Sequence, residues 1–199
     1  MSIKNSWMLE FSLLLLDLLV IVLIAVWLFG FRVNITPSLP KGIYQISSES
    51  IERDDLVAFC LGFDNPFSVL ADERGYLGPG SCPSGLRPLL KRLVGLPGDQ
   101  VVINADGISL NGNLLPGSGR PSHDSQGRRL PDSLLHEGAI TVGVGLLLSQ
   151  GHAGSFDSRH FGLIPLASLK KVKPIIVSGQ KKIEPHNQQL HHNRRQTSN

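Results

Sequence analysis

The sequence LLKRLVGLPGD at residues 89–99 places one lysine, Lys91, inside an apolar run that ends at a Pro-Gly turn signal. In a strand, Lys91 would share a face with Leu89 and Leu93, while Arg92 would point to the opposite face, because successive side chains alternate. An apolar setting removes hydration from a charged amine, so the pKa of this lysine is expected to fall. The segment therefore predicts a strand that carries a lysine able to act as a base.

A second segment, NITPSLPKGIY at residues 34–44, places Ser38 between Pro37 and Pro40, 53 residues before Lys91. The two prolines should stiffen the loop. A serine hydroxyl becomes a good nucleophile only when a base removes its proton, and a neutral lysine can do so. The alternative is that Ser38 is an ordinary loop serine and Lys91 an ordinary edge-strand lysine.

Short apolar runs separated by Gly, Pro and Asn or Asp turns predict a mostly β domain after residue 31. No long amphipathic helix is evident there, although residues 166–172 have room for one or two helical turns. The Gly- and Pro-rich stretches at 64–88 and 116–131 are expected to be long loops. The expected strands are 42–46, 55–61, 89–96, 100–103, 108–110, 139–148 and 163–164.

Residues 11–31 are apolar, Gly or Ser except for Asp17, and 21 residues would span about 31 Å as a helix. Without Asp17 the apolar run shortens to 18–31, a length typical of a cleavable signal peptide. Residues 31–35 offer no small residues for cleavage, however. This favours an uncleaved membrane anchor, whereas the charges on its two sides do not determine its orientation.

The net charge of +3 is carried by the end of the chain, because residues 180–199 hold four basic residues against Glu184 alone. The rest of the chain is balanced. We therefore predict a basic, disordered tail and no nucleic-acid partner.

The two cysteines, Cys60 and Cys82, could form a disulfide in an oxidising compartment, which would stabilise the fold by roughly 3 kcal/mol. Spacing alone leaves the pairing open. No pair of histidines lies near them in the sequence, so we expect no metal site and no cofactor.

Four segments resemble the signal peptidase I superfamily of membrane-anchored serine/lysine peptidases, family S26, and more narrowly the TraF-type conjugative transfer peptidases that process pilin precursors. They are residues 34–44, DDLVAF at 54–59, residues 89–99 and SFDSRHFG at 155–162. The resemblance implies a mostly β, signal-peptidase-like catalytic domain with a small inserted subdomain, preceded by one N-terminal transmembrane helix. We expect an anchor at 1–31, a peptidase domain at 32–178 with an insertion at about 104–140, and the tail at 179–199.

The same resemblance assigns Ser38 as the nucleophile, Lys91 as the general base and Asp157 as a third catalytic residue. It implies that Thr36, with the backbone N–H of Ser38, binds the oxyanion, and that Ser155 orients Lys91. The alternative for Thr36 is a plain turn residue.

Physical reasoning leaves the role of Asp157 open, because a carboxylate close to Lys91 would favour the charged ammonium and weaken the base. In a strand Asp157 and Arg159 would share a face, so a structural ion pair is the alternative. The nearby His152 and His160 would allow a Ser/His/Asp arrangement, which leaves Lys91 unexplained.

By resemblance, the protein is a single-pass protein of the bacterial inner membrane whose catalytic domain lies in the periplasm. Its expected partners are a pilin precursor or another preprotein, membrane lipid and the conjugative transfer apparatus, and its product could be linear or cyclic. The alternatives are a general signal peptidase that removes signal peptides from exported proteins and a non-catalytic docking module of the transfer apparatus.

Overall fold

The computed structural model describes residues 4–36, 39–149 and 154–178. Ser38, His152 and the tail at 179–199 lie outside the described residues. The described chain has one long N-terminal helix followed by a mostly β domain, which confirms the predicted fold class.

The N-terminal helix α1 (Lys4–Leu28) contains a stretch, Trp7–Val26, that is long and apolar enough to cross a membrane and is not buried inside the protein. It therefore fits a single-pass anchor. The helix ends three residues before the end of the predicted apolar span, because Gly30 has a φ of +74° and Phe31 already belongs to a strand. A Cβ at Gly30 would also lie 3.2 Å from Cβ of Ile46.

The domain that follows consists of short strands and two short helices. In chain order they are β1 (Phe31–Asn34), β2 (Gly42–Ile46), β3 (Leu56–Phe59), α2 (Pro66–Glu73), β4 (Leu89–Gly95), β5 (Gln100–Asn104), β6 (Gly107–Leu110), β7 (Asn113–Leu114), β8 (Gly138–Ala139), β9 (Val144–Leu148), α3 (Ser158–Phe161), β10 (Ile164–Pro165) and β11 (Lys170–Val177). A single 3₁₀ turn, Leu166–Ser168, precedes β11.

Within the described residues these strands form two antiparallel sheets. The large sheet has the order β1-β2-β11-β3-β4-β9-β10, and the small sheet has the order β7-β6-β5-β8. The small sheet uses strands from the region where an inserted subdomain is expected.

The neighbouring strands β4 and β9 are buried on both faces. Leu93 pairs with Leu147, and both side chains enter a core shared with α2 and α3. Val94, Leu146 and Leu148 point the other way, into a second core with the side chains of β5 and β6. A strand that packs against apolar side chains on both faces needs a nearly continuous apolar sequence, as both of these have.

Two expectations about secondary structure were wrong. Residues 64–88 are not only loop, because Asn65 caps α2 by accepting a hydrogen bond from the Phe67 N–H at 3.0 Å. The predicted run at 139–148 is split by a turn at Gly143, which has a φ of +88°, so its two ends join different sheets. At 166–172, where one or two helical turns were expected, the structure has the single 3₁₀ turn Leu166–Ser168, and β11 begins at Lys170.

Strands β1 and β11 were missed altogether. The sequence of β11, KKVKPIIV, contains three lysines and a proline, and most of its side chains are exposed. Its position is determined by pairing with β2 on one side and β3 on the other, which the local sequence does not indicate. Strand β1 follows the membrane helix so closely that its first residue was counted as part of the anchor.

Cys60 and Cys82 form a disulfide, with their Cα atoms 5.5 Å apart. The bond ties the end of β3 to the segment that follows α2. It closes a stretch of chain that has little regular structure apart from α2.

We predict that the double variant Cys60→Ser/Cys82→Ser loses about 3 kcal/mol of unfolding free energy, because the unfolded chain is no longer constrained by the cross-link. Thermal unfolding of the full chain in detergent micelles would measure this loss. A reductant should lower the melting temperature of the wild type and leave the variant unchanged. Equal stability of the two proteins under oxidising conditions would contradict the prediction.

Candidate functional site

Lys91 lies in the middle of β4 with only 2% of its surface exposed. Its backbone pairs with Val57 of β3, and its own strand places buried Leu89 and Leu93 on the same face. Burial lowers the pKa of Lys91 to about 8; the nearby Asp157 opposes this shift and Arg159 adds to it. The predicted strand, face and direction of the pKa change are all present in the structure.

Two buried serine hydroxyls bind the amine of Lys91. Nζ donates to Oγ of Ser155 at 2.8 Å and to Oγ of Ser149 at 2.9 Å. The contact with Ser155 is the one expected from the resemblance. Ser149 was not identified from the sequence.

Asp157 and Arg159 form a buried ion pair, as one of the two readings of the sequence proposed. Nε of Arg159 donates to Oδ1 of Asp157 and Nη2 donates to Oδ2, each at 2.8 Å. The two side chains are 0% and 1% exposed. Because the guanidinium neutralises the carboxylate at close range, Asp157 raises the pKa of Lys91 less than an isolated carboxylate would.

The expectation that Asp157 and Arg159 lie on one face of a strand was wrong. Asp157 is the N-cap of α3, and its Oδ1 accepts a hydrogen bond from the Arg159 N–H at 3.2 Å. Its Oδ2 also accepts from the Ser149 N–H at 3.0 Å, just beyond the end of β9. The carboxylate therefore holds a strand end and a helix start together.

Arg159 extends the same network toward the small sheet. Its Nη1 donates to the carbonyl oxygen of Gly117 at 3.1 Å and to that of Gly119 at 2.9 Å. The segment that carries these carbonyls lies in the stretch predicted to be an exposed loop. One arginine thus connects this loop with the residues around the Lys91 amine.

Asn34 organises the loop on both sides of Ser38. Its buried Nδ2 donates to the carbonyl oxygens of Thr36, Leu39 and Pro40 at 3.1–3.2 Å. Its Oδ1 accepts from the N–H of Thr36 at 3.1 Å and from the Thr36 hydroxyl at 2.7 Å. In this conformation the Thr36 hydroxyl proton is directed at Asn34, so its predicted role in binding an oxyanion requires the hydroxyl to rotate.

His160 does not have the contacts of a catalytic histidine. It is buried and stacks on Phe156 with ring centroids 5.8 Å apart. Among the described residues its Nδ1 has no hydrogen-bond partner, and burial lowers its pKa to about 4. The described part of the chain therefore does not support a Ser/His/Asp arrangement through His160, and it contains no cluster of His, Cys, Asp and Glu placed to hold a metal ion.

Two residues of this site were missed in the sequence, Ser149 and Asn34. Asn34 stands in the quoted serine segment, but asparagine is common in turns and its five contacts depend on the folded loop. Ser149 lies just beyond β9 and follows Leu147 by two residues, so in extended backbone its side chain points to the same side as that of Leu147. This spacing points to Ser149 as a neighbour of Lys91 only when the register between β4 and β9 is known.

We predict that Lys91→Met raises the stability of the folded protein at pH 7 by roughly 3 kcal/mol, because the wild type must bury a charge there. The folded pKa of Lys91 lies below its unfolded value. The unfolded chain therefore binds more protons between about pH 8 and 10.5, and wild-type stability rises with pH over that range. The advantage of the variant should be complete below pH 8 and shrink toward pH 10.5.

Thermal unfolding of the full chain in micelles, measured across that pH range, would test this prediction. Lys170→Met is the matched control, because Lys170 is exposed on β11 and its loss should produce no such trend. A stability difference between wild type and Lys91→Met that is independent of pH would refute the prediction.

Removing Arg159 should be far more destabilising than removing an exposed partner of an ion pair. Arg159→Met leaves the Asp157 carboxylate buried without its counter-charge, and we expect a loss of about 3–5 kcal/mol of unfolding free energy. The double variant Asp157→Asn/Arg159→Met should recover part of this loss. Arg53→Met is the control, because the Arg53 side chain is 39% exposed and its pair with Asp99 should contribute about 1 kcal/mol. Equal losses for the two single arginine variants would contradict the expected difference.

Comparison with known proteins agrees with these observations. The family profile of signal peptidase, peptidase S26, matches residues 5–178. A plasmid transfer protein TraF of Escherichia coli is 40% identical over 152 residues, which cover 74% of this chain and 83% of that protein. The conjugal transfer protein TraF of Agrobacterium fabrum is 38% identical over 142 residues, with 70% and 78% covered.

Among solved structures, a signal peptidase I from Enterococcus faecalis is 22% identical and covers 64% of this chain and 99% of its own, with a TM-score of 0.35. The family assignment rests on the profile and on the relatives above 30% identity. The match extends from the membrane helix to the end of β11, and so includes both the Lys91 strand and the Asp157 segment. This chain is therefore a member of the signal peptidase family, peptidase S26.

Proposed function

We propose that this protein is a membrane-anchored serine endopeptidase in which Ser38 is the nucleophile and Lys91 the general base. The observation that carries the proposal is the buried amine of Lys91, whose pKa is lowered to about 8. At pH 7.5 this shift raises the neutral fraction from about one in a thousand to about one in four. A lysine exposed on the surface would be almost fully protonated at pH 7.5 and could not accept a proton.

The proposed reaction begins when neutral Lys91 takes the proton of the Ser38 hydroxyl as Oγ attacks the carbonyl carbon of the substrate peptide bond. The tetrahedral intermediate collapses to an acyl-enzyme, and the ammonium of Lys91 returns the proton to the leaving amine. Water then attacks the ester, with Lys91 again as the base. If an amine of the substrate attacks in place of water, the product is cyclic.

Asp157 acts as a structural residue in this scheme. Its carboxylate is occupied by Arg159 and by two backbone N–H groups, so it supports the hydroxyls around Lys91 without taking a proton itself. Thr36 is retained as the proposed second donor to the oxyanion, with its hydroxyl turned away from Asn34 when substrate binds.

We further propose that the substrate is a pilin precursor and that the protein acts in conjugative plasmid transfer. The support is the similarity to plasmid and conjugal transfer proteins named TraF, each covered over more than two thirds of its length. A precursor held in the membrane could present its cleavage site close to the bilayer, because Ser38 follows the membrane helix by only ten residues. The Cys60–Cys82 disulfide supports a domain on the oxidising, periplasmic side of the inner membrane.

Processing of a co-expressed pilin precursor tests both residues. We expect the wild type to cleave it, and Ser38→Ala and Lys91→Met to accumulate the precursor, because each variant lacks one half of the reacting pair. Product mass gives the readout, and a product about 18 Da lighter than the linear form, the mass of one water, would indicate cyclisation.

The matched controls are Ser48→Ala and Lys170→Met, which remove an exposed serine and an exposed lysine and should process normally. Immunoblots of the membrane fraction must show equal amounts of every variant. Normal processing by Ser38→Ala and Lys91→Met would overturn the serine/lysine mechanism and favour a non-catalytic docking module. Broad cleavage of unrelated exported preproteins would favour a general signal peptidase.

A further inference from the structure

Ser149 immediately follows β9, the strand that pairs with the Lys91 strand β4. Strands β4 and β9 pair Arg92 with Leu148 and Leu93 with Leu147 in an antiparallel register. Extended by one residue beyond the end of β9, this register would bring Ser149 opposite Lys91, with both side chains on the same side. Residues that face each other in this way have their Cβ atoms about 5 Å apart, within reach of a hydrogen bond between long and short side chains.

The hydroxyl of Ser149 does reach the amine. Its Oγ lies 2.9 Å from Nζ of Lys91, and both residues are 2% exposed. An ammonium has three N–H bonds. The hydroxyls of Ser149 and Ser155 take two of them, so the end of a flexible four-carbon side chain is held from two directions.

The backbone of Ser149 is also restrained. Its N–H donates to Oδ2 of Asp157 at 3.0 Å, and Asp157 is held by Arg159. Two residues earlier on the same strand, the Leu147 N–H donates to the Ser158 hydroxyl at 3.0 Å. Strand β10 pairs only with the first two residues of β9, and beyond them side chains of the segment that begins α3 bind the backbone N–H groups of Leu147 and Ser149. These contacts restrain where the Ser149 hydroxyl points.

We propose that Ser149 is a positioning residue for the general base, which holds the Lys91 amine toward the nucleophile together with Ser155. This inference rests on the proposed function, because it requires Lys91 to be the base. Ser149 does not react with the substrate. It limits the rotation of the lysine side chain, so that the third direction of the amine is kept available for the proton of the nucleophile.

Loss of the hydroxyl should have two separate effects. The amine becomes less restrained, so the chemical step slows while substrate binding changes little. The ammonium also loses an acceptor of one of its hydrogen bonds, which favours the neutral form and lowers the pKa of Lys91 further. The charged groups that act on this amine, Asp157 and Arg159, are unchanged by the substitution.

The experiment compares wild type, Ser149→Ala and Ser149→Thr as full-length proteins in micelles, with a peptide that spans the cleaved bond of the pilin precursor as the probe. We expect Ser149→Ala to lose about 10- to 100-fold in kcat with KM within about twofold, the cost of one hydrogen bond to a charged group. Ser149→Thr retains a hydroxyl and should keep most of the activity. Ser118→Ala is the matched control, because Ser118 is also buried, at 3% exposed, and its hydroxyl bonds backbone groups of Ile108 and Leu115 and not the Lys91 amine.

Two titrations separate positioning from a general loss of structure. In the wild type, kcat/KM should rise with pH through an apparent pKa of about 8, and in Ser149→Ala this limb should move to lower pH. The chemical shift of the Lys91 Cε carbon, followed with ¹³C-labelled lysine and assigned by its absence in Lys91→Met, reports the same pKa without substrate. Ser118→Ala should move neither curve, even if it lowers the melting temperature.

The outcomes distinguish this inference from the proposed function. If Lys91→Met is inactive and Ser149→Ala has wild-type kcat and an unshifted pH limb, Ser149 is not a positioning residue and the mechanism stands. If Lys91→Met remains active, the proposed function fails first. If Ser149→Ala loses activity without any shift of the Lys91 titration, and Ser149→Thr does not restore it, the residue is merely structural and the inference is overturned.

Discussion

The buried ion pair between Asp157 and Arg159 is the interaction on which the rest of the site depends. A carboxylate and a guanidinium at 0% and 1% exposure must satisfy each other and all their remaining hydrogen bonds. Asp157 does so by capping α3 and by binding the N–H of Ser149. Arg159 does so by binding carbonyls of the Gly117–Gly119 segment. The pair thereby joins the end of β9, the start of α3 and the loop that contains Gly117 and Gly119.

The electrostatic consequence concerns Lys91. Its amine is buried and is bound by two serine hydroxyls, which solvate an ammonium less well than water does. A lone carboxylate nearby would restore the charged form. Because Asp157 is already neutralised by Arg159, the site can contain an acidic residue and still keep a lysine with a lowered pKa. This reconciles the position of Asp157, close to the base, with a basic role for Lys91.

The double-sided burial of β4 and β9 explains why this part of the structure was the easiest to predict. Strands packed on both faces need a mostly apolar sequence; residues 144–148 are apolar throughout, and residues 89–95 are apolar except for Lys91 and Arg92. The lysine within the first run therefore stood out. By contrast, β11 contains three lysines and exposes most of its side chains, and α2 spans only eight residues, too few for a helical period to show against a Gly- and Pro-rich background.

By itself the sequence determined the long apolar N-terminal helix, the mostly β domain, the strand that buries Lys91 and the face on which that lysine lies. These features follow from local hydrophobic pattern, and a pattern with period two is enough to assign a face. Only the tertiary structure decided which residues surround the amine. Ser149 and Ser155 come from segments 58 and 64 residues away, and their approach depends on strand register and on the capping of α3. The pairing of Asp157 with Arg159 could be suspected from their spacing, but its helical cap geometry and its hydrogen bonds to Gly117 and Gly119 arise from packing that no local pattern specifies.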